Sequence, residues 1–565
     1  MKATDQHPGP TARRIRETAQ MLLIYALLAG GSMVFALPFI WMLGSSFKVD
    51  REMFGRTLTL WPERPVPAPA SPYLDGRYYD EPTHPAWPVV RPTILAALAE
   101  IDLDLGPEVA NRHEAPEILA PGIFERLHAT MPRDRWTLPE AELQAEVASR
   151  IGPALVVEVR RAVFRSLAFG PVRVRSFDLQ ERELTAGRPI SEFWEIVSGP
   201  ARFLDRPLAA PPQADLVYDF RESDEREVVI QQTLDLPFEA ERLFRIQISL
   251  TPDDTWHAVR FTVEHNGRRF EGMRPEYIGR FLPQVVTLQE FGPMDAPDSN
   301  RIRLWIPYRE VSSGPEYESR PDKVKVTLTL SRQGQLGAWY AKCIRNYRGA
   351  LQYIPFWRYA ATSAFLVVLN ILGNLISCSL VAYAFARLQW PGRNLSFGVM
   401  LATMMIPPQV TMIPYFLIMR HLGWYNTLTP LWFISFFGNA FNIFLLRQFM
   451  KGIPRDMEDA AKIDGCNFLQ IYWYVIVPLI KPTLACIAIF TFMGVWNDFM
   501  GPLIFLADQR LYPLSLGLYA LNVQAGGDFG MMMAGSLLMT LPVILLFFFA
   551  QKYFIQGITL TGVKG

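Results

Sequence analysis

The pattern of apolar and polar positions divides this chain of 565 residues into membrane-like and soluble-like parts. Residues 21–46 form an uncharged apolar run, which is long enough for a helix to cross a hydrocarbon core of about 30 Å. The run exceeds the apolar core of a cleaved signal peptide, so we predict a retained helix. Five more such runs follow after a long gap, at 359–386, 395–418, 428–446, 483–506 and 531–554. The pattern predicts a polytopic α-helical membrane protein with six transmembrane helices and both termini on one side.

Residues 63–345, between the first two runs, are charged throughout and predict a large inserted α+β domain. Its first part, 63–92, is rich in proline and predicts a stiff tether. Its second part, 93–170, shows helical periodicity. The remainder of the chain, 346–565, carries the other five apolar runs and forms the predicted membrane core.

From 172 to 332 the apolar residues of the inserted domain recur at every second position, for example over 244–250 and 302–306. Asn266-Gly267 is typical of a two-residue hairpin turn. Short alternating strands with turn signals predict a β-sandwich. Exposed aromatic residues could bind a sugar, but we expect the following ones to pack in a core: Trp194, Trp256, Trp305 and Tyr308.

The lysine and arginine residues of the short loops indicate the orientation. The tail 1–20 and the loops that follow the second and fourth apolar runs are basic, whereas the opposite short loops offer only Arg420 and Arg510. Cytoplasmic loops carry the excess of positive charge. The sequence therefore predicts cytoplasmic termini and an inserted domain on the outer side.

Composition and motifs exclude several functions. The net charge of +1 gives no general attraction for nucleic acid. The four cysteines show no metal-ligand spacing, and we find no nucleophile or paired-carboxylate arrangement that indicates an enzyme. The chain also lacks the GxxxxGK[ST] loop that cradles nucleotide phosphates. We expect no bound cofactor and no ATP hydrolysis by this chain.

The loop between the fourth and fifth apolar runs, residues 447–482, reads RQFMKGIPRDMEDAAKIDGCNFLQIYWYVIVPLIKP. A helix is predicted after Pro454, with acidic residues in its first turn, where the helix dipole favours them. Gly465 suits the left-handed residue that ends many helices. A second, aromatic helix is predicted over 468–477. The small side chains of Ala460 and Ala461 provide a flat face that another surface can approach closely.

The spacing in this loop resembles the signature of the inner-membrane permease subunits of ABC importers: Glu-Ala-Ala, three residues, Gly, nine residues, Ile-x-Leu-Pro. Here 459–461 reads Asp-Ala-Ala, Gly465 follows after three residues, and 475–478 reads Val-Ile-Val-Pro. Other stretches resemble the carbohydrate, MalG-like branch of that family. They are NYRGALQYIPFWRY (346–359), RLQWPGR (387–393), Trp-Asn-Asp-Phe (496–499) and YFIQGITLTGVKG (553–565).

The resemblance implies a subunit of an ATP-driven importer in a bacterial inner membrane. It implies that the 454–478 loop docks on a separate ATPase, which uses ATP and Mg, and that the chain forms half of a sugar pathway. It also implies a second permease subunit and an extracytoplasmic solute-binding protein as partners. The residues that it assigns to ATPase docking are Glu458, Asp459, Ala460, Ala461, Asp464, Gly465 and Pro478.

Polar side chains within the apolar runs are candidates for the substrate pathway, because charges and amides at membrane depth are often functional. They are Trp496, Asn497, Asp498, Asn442 and Asn374. Each could instead hold helices together through hydrogen bonds.

Two other functions stay open at this stage. The first is a membrane-anchored extracytoplasmic binding or sensor protein, which needs no ATPase. The second is an ion-coupled secondary transporter, a class that usually shows internal repeats.

Overall fold

The computed structural model describes residues 10–54, 59–176, 181–185, 188–206, 211–222, 224–279, 284–290, 305–524 and 528–558. The described chain forms two compact units. The permease unit contains the described residues up to Pro62 and from Arg345 onward, and the inserted unit contains those from Glu63 to Ile344. Three predicted features lie outside the described residues: the start of the tail (1–9), Ile302 and Leu304 of one strand, and the terminal 559–565.

Nineteen helical segments are described, joined in places by 3-10 turns. In chain order they are α1 (Pro10–Ser45), α2 (Asp50–Met53), α3 (Trp87–Glu100), α4 (Ala115–Thr130), α5 (Glu140–Arg150), α6 (Pro153–Val163), α7 (Gln335–Tyr353), α8 (Phe356–Ala386), α9 (Arg393–Thr403), α10 (Pro408–His421), α11 (Pro430–Phe433), α12 (Ala440–Lys451), α13 (Asp456–Ile463), α14 (Phe468–Ile471), α15 (Val477–Leu479), α16 (Lys481–Trp496), α17 (Met500–Phe505), α18 (Leu514–Gln524) and α19 (Phe529–Ile558).

The described strands all belong to the inserted unit. They are β1 (Ala70–Ser71), β2 (Tyr73–Leu74), β3 (Phe164–Arg165), β4 (Ala168–Ser176), β5 (Arg182–Glu183), β6 (Glu195–Ser198), β7 (Ala201–Arg206), β8 (Gln213–Asp219), β9 (Glu227–Asp235), β10 (Leu243–Thr251), β11 (Ala258–His265), β12 (Arg268–Gly272), β13 (Glu276–Tyr277), β14 (Gln284–Glu290), β15 (Ile306–Ser313) and β16 (Lys323–Ser331).

Three helical segments in the described residues are long and apolar enough to cross a membrane: Thr18–Ser45, Phe356–Ala386 and Phe529–Gln551. Two further candidates are bent pairs. α9 and α10 meet at 98°, and Phe468–Leu479 meets α16 at 77°. The permease unit therefore offers three spans, or up to five if each bent pair crosses once. The predicted number of six is not confirmed by length and composition.

The predictions of single helices over 395–418 and 428–446 are wrong. The first stretch breaks before Pro407-Pro408, because proline lacks the backbone N–H that continues a helix. The second breaks at Gly438, whose φ of +87° lies in a region that favours glycine. The side chain of Asn439 then accepts hydrogen bonds from the first backbone N–H groups of α12.

The predicted run 483–506 is also two helices. α16 ends at Trp496, and the carboxylate of Asp498 accepts a hydrogen bond of 3.1 Å from the backbone N–H of Gly501 in α17. The Asp498 side chain thus satisfies one of the first backbone N–H groups of the new helix, which have no partner within it.

The permease unit is organised around α8, which packs against both α12 and α16. Its polar side chains satisfy carbonyl groups of the irregular segment that precedes α12. The Nδ2 of Asn370 donates to the Leu431 carbonyl at 3.0 Å, and the hydroxyl of Ser377 donates to the Ser435 carbonyl at 2.9 Å. Backbone that leaves a helix at membrane depth needs such partners.

The inserted unit has a helical part with its own core. Val90, Ile94, Leu119 and Val159 are fully buried where α3, α4 and α6 pack together. The predicted helical stretch 93–170 is wrong at both ends, because α3 already begins at Trp87 and β4 begins at Ala168. It is also interrupted between α5 and α6, where Gly152-Pro153 starts a new helix.

The prediction of a stiff tether over 63–92 is wrong as well. β1 pairs with β8, and the side chains of Tyr73 and Leu74 are buried. The hydroxyl of Tyr73 donates to the Asp253 carbonyl at 2.9 Å. The apolar residues between the prolines thus fix this segment to the domain, because their burial is favourable.

The β-rich part is one hydrogen-bonded sheet in the order β1-β8-β4-β10-β14-β15-β12-β11-β16-β9-β6. The parallel pair β14–β15 joins its two halves. Side chains of both halves, such as Ile246 and Phe261, share a single core. The two halves enclose one core, as the two sheets of the predicted β-sandwich would. They differ from a sandwich of two sheets because they belong to one continuous sheet.

Two predictions from the sequence are confirmed in this β-rich part. Asn266 and Gly267 have φ values of +52° and +67° between β11 and β12, as a type I′ turn requires. The four aromatic candidates for sugar contact, Trp194, Trp256, Trp305 and Tyr308, are all buried. They pack in the inserted unit, as the sequence predicted.

His257, fully buried in the inserted unit, predicts a dependence of stability on pH. Its Nε2 lies 3.0 Å from the Ala68 carbonyl, and its Nδ1 accepts from the backbone N–H of Gln333 at 3.2 Å. Burial lowers the pKa of His257 to about 4. In the unfolded state this histidine has a pKa near 6.5, so between pH 6.5 and pH 4 the unfolded state binds a proton that the folded state does not. The contribution of His257 to the stability of the folded state is therefore present above pH 6.5 and is lost as the pH falls towards 4.

We expect the purified chain in detergent to lose thermal stability between about pH 6.5 and about pH 4, by up to about 3 kcal/mol from this residue. His257→Gln cannot protonate and should show a shallower loss, measured as unfolding temperature by tryptophan fluorescence. Asp253, whose pKa is raised by burial, stays in both proteins and cancels in the comparison. Parallel pH profiles for the two proteins would contradict the assignment.

Candidate functional site

The 447–482 loop contains the helix α13, which begins after Arg455 with three acidic residues in its first turn. It ends at Gly465, whose φ is +84°. The backbone N–H of Cys466 donates back to the Ala461 carbonyl at 2.9 Å, which satisfies a carbonyl at the helix end. The predicted left-handed end at Gly465 is therefore confirmed. A side chain added there would meet nothing within 4 Å, so this helix end is open to an approaching surface.

One face of α13 is turned into the permease unit. Ala461 is buried, and Glu458 is paired with Arg387, at 2.9 Å between Oε1 and Nε. Both side chains of this pair are less than a tenth exposed. Arg387 also donates from Nη2 to the carbonyls of Met450 and Ile453, at the end of α12. The ion pair therefore joins the ends of α8 and α12 to α13.

The opposite face of α13 is open. Ala460, Asp464 and Gly465 are exposed, and Ile463 is 88% exposed. Asp459 is exposed and pairs with Lys462 at 2.8 Å, a hydrogen bond that lowers the pKa of its carboxyl group. The neighbouring carboxylates of Glu458 and Asp459 thus point to different sides, as the 100° step of a helix requires.

The second part of the loop presents an exposed aromatic and aliphatic surface. Asn467 and Gln470 form a reciprocal capping box that starts α14. A π-helical turn, Tyr472–Ile476, then leads to α15, in which Pro478 is exposed. An open cavity of about 420 Å³ lies among Asn467, Leu469, Gln470, Trp473 and Tyr474. Large apolar side chains on this surface are more than a third exposed: Ile463, Phe468, Leu469, Trp473 and Tyr474.

Two of the pathway candidates lie together. The Nδ2 of Asn442 in α12 donates to Oδ1 of Asn374 in α8 at 3.4 Å. Asn374 also donates to the Asn370 carbonyl at 3.2 Å. Amides that bond each other across two helices serve equally as helix contacts and as polar groups of a pathway.

The other pathway candidates surround the end of α16. The ring of Trp496 is buried, stacks on Phe492 at 5.4 Å and donates from Nε1 to the Met539 carbonyl at 3.0 Å. Asn497 is exposed and donates to the Met493 carbonyl. Asp498 is half-buried and accepts a hydrogen bond from the backbone N–H of Gly501 in α17. In the described chain the Trp496 ring is engaged in packing, whereas Asn497 is open.

Sequence analysis missed two residues of the loop's surroundings. Arg387 was noted only as a basic turn residue, and its pairing with Glu458 joins positions far apart in the sequence. Ile463 was noted only as a spacer of the motif. Its position, 140° around the helix from Glu458, could have indicated an apolar residue on the open face.

Comparison with known proteins identifies the class. Residues 376–559 match the family described as binding-protein-dependent transport system inner membrane component. The chain is 34% identical to the arabinooligosaccharides transport system permease protein AraQ of Halalkalibacterium halodurans, over 37% of this chain and 75% of that protein. It is 35% identical to the lactose transport system permease protein LacG of Rhizobium radiobacter, over 33% of this chain and 67% of that protein.

A solved structure is also similar. It is a bacterial ABC transporter involved in the import of the acidic polysaccharide alginate, with 30% identity and a TM-score of 0.33, over 37% of this chain and 79% of that chain. The sequence matches to the relatives show the family. The chain belongs to the inner membrane components of binding-protein-dependent transport systems, which are multi-pass membrane subunits of ABC importers.

The end of α13 at Gly465 gives a prediction. Gly465→Val should destabilise the helix end by about 1–2 kcal/mol, because the left-handed conformation is costly for a branched residue. Gly465→Asn, which tolerates that conformation, is the matched control. Hydrogen exchange of the amides in Asp456–Ile463 should be faster in the valine variant only. Equal exchange in the two variants would contradict the geometry at Gly465.

Proposed function

We propose that this chain forms half of the translocation pathway of an ATP-driven importer for a sugar or oligosaccharide, and that a separate ATPase docks on its 454–478 loop. The observation that carries the proposal is the open surface of α13 and α14, on which exposed apolar side chains such as Ile463 and Trp473 lie among charged ones. The buried Arg387–Glu458 pair holds this surface to the permease unit. An exposed apolar patch of this kind marks an interaction site.

The partner chemistry follows from this surface. A short helix with a small and apolar outer face fits a groove in a partner protein. Because the chain has no GxxxxGK[ST] loop, the ATP and Mg are used by that partner. The whole stretch 447–482 contains five lysine and arginine residues, in keeping with the cytoplasmic side, where the ATPase finds its nucleotide.

The same charge asymmetry supports cytoplasmic termini and an inserted unit on the outer side of the bacterial inner membrane. Six crossings satisfy this orientation when each bent helix pair counts as one broken span and 428–446 crosses as short helices. Broken helices at membrane depth are common at transport sites. The inserted unit then meets the solute-binding protein or the second permease subunit.

The choice of a sugar rests on the relatives, whose names specify arabinooligosaccharides and lactose. The amides of Asn374 and Asn442, the exposed Asn497 and the carboxylate of Asp498 suit a ligand rich in hydroxyl groups. Trp496 packs on Phe492 and contributes to the shape of the pathway beside these polar groups.

Docking can be tested by purification of the tagged chain in mild detergent together with its native membrane partners. Ile463→Asp places a charge in the centre of the open face and should reduce the recovered ATPase at least tenfold. Leu336→Asp is the matched control, because Leu336 is 85% exposed in the inserted unit. Undiminished ATPase recovery with Ile463→Asp would place the docking site elsewhere, and absence of any ATPase with the native chain would favour the anchored sensor.

Transport can be tested in proteoliposomes that contain the complete complex and its binding protein. We expect ATP-dependent uptake of arabinooligosaccharides or lactose, which Gly465→Val reduces strongly and Gly465→Asn retains. Uptake that persists without ATP and collapses with an ionophore would favour the ion-coupled transporter instead.

A further inference from the structure

Three side chains along one stripe at the end of α8 contact the 447–482 loop, which we call the docking loop. Ser379, Tyr383 and Arg387 are spaced by four residues, so their side chains lie on the same side of the helix. The hydroxyls of Ser379 and Tyr472 lie 2.6 Å apart, and the hydroxyl of Tyr383 donates to the Phe468 carbonyl at 3.1 Å. Arg387 pairs with Glu458 at 2.9 Å.

The three contacts reach three successive segments of the loop. Glu458 belongs to α13, Phe468 begins α14, and Tyr472 begins the π-helical turn. Ser379, Tyr472 and Glu458 are buried. In surroundings of low dielectric, polar contacts are strong when complete and costly when one partner is lost. The loop is therefore held as one body against this stripe.

The same helix reaches the pathway candidates. α8 is unbroken from Phe356 to Ala386 and carries Asn374, which is bonded to Asn442. A continuous helix transmits a displacement along its length, whereas the neighbouring segments are interrupted at Pro407 and Gly438.

We propose that the stripe Ser379–Tyr383–Arg387 is the joint through which a movement of the docked loop reaches α8 and the Asn374–Asn442 contact. These are positioning residues, and the inference rests on the proposed function. The family resemblance groups Glu458 with the docking residues, but its side chain is buried, whereas Ile463 is on the open face of α13. We therefore assign docking to the open face and transmission, rather than docking, to Glu458.

The test uses the complete complex in proteoliposomes, with uptake and ATP hydrolysis measured in the same preparation. Glu458→Gln keeps the size of the side chain and removes its charge. We expect normal recovery of the ATPase, continued hydrolysis, and a fall of about tenfold in sugar transported per ATP, within the usual range of coupling between sites. Tyr472→Phe, which removes only the hydroxyl that meets Ser379, should lower the same ratio by a smaller factor.

Asp528→Asn is the matched control. Asp528 forms another partly buried ion pair of the permease unit, with Arg345 at 2.7 Å, away from the loop. If the role of Glu458 were purely structural, Glu458→Gln would change the assembly and yield of the complex in the same way as Asp528→Asn does.

Two outcomes would overturn the inference: an unchanged ratio in Glu458→Gln and Tyr472→Phe, or loss of ATPase recovery in Glu458→Gln, which would assign the pair to docking itself. Failure of the proposed function is a different result, because the native chain would then capture no ATPase and show no ATP-dependent uptake.

Discussion

The ion pair between Arg387 and Glu458 is the constraint on which the 447–482 loop end of the permease unit depends. Both charges are removed from water, and such a pair is tolerated only when each partner is present and the remaining donors are satisfied. Arg387 also donates from Nη2 to carbonyls at the end of α12. One guanidinium thus fixes α8, α12 and α13 together and leaves the far side of α13 open.

The interrupted helices of the permease unit follow a related rule. Proline at 407–408 and glycine at 438 free backbone groups that would otherwise be paired within a helix. Side chains of α8 satisfy some of these backbone groups, because Asn370 and Ser377 donate hydrogen bonds to carbonyls of the segment that precedes α12. The helix α8 therefore both supports its neighbours and contacts the 447–482 loop.

The inserted unit is held together by interactions of a different kind. It has two cores of its own, one among helices and one within a continuous sheet. Buried polar groups near its Pro-rich start are paired, as Tyr218 donates to Asp253 at 2.6 Å and His257 accepts from Gln333. A domain with its own cores can be added between two spans without altering the permease core.

The sequence by itself determined the local features of this protein, because they depend on neighbouring residues. The apolar runs, the Asn266-Gly267 turn, the helix end at Gly465 and the spacing of the family signature are all of this kind. Tertiary structure alone decided which carboxylate of the Glu458-Asp459 pair is buried, since that depends on Arg387, 71 positions away in the sequence. It also decided that 63–92 packs on its domain and that three apolar runs are broken. Those outcomes depend on partners distant in the chain, which satisfy the freed backbone groups and cover the apolar side chains.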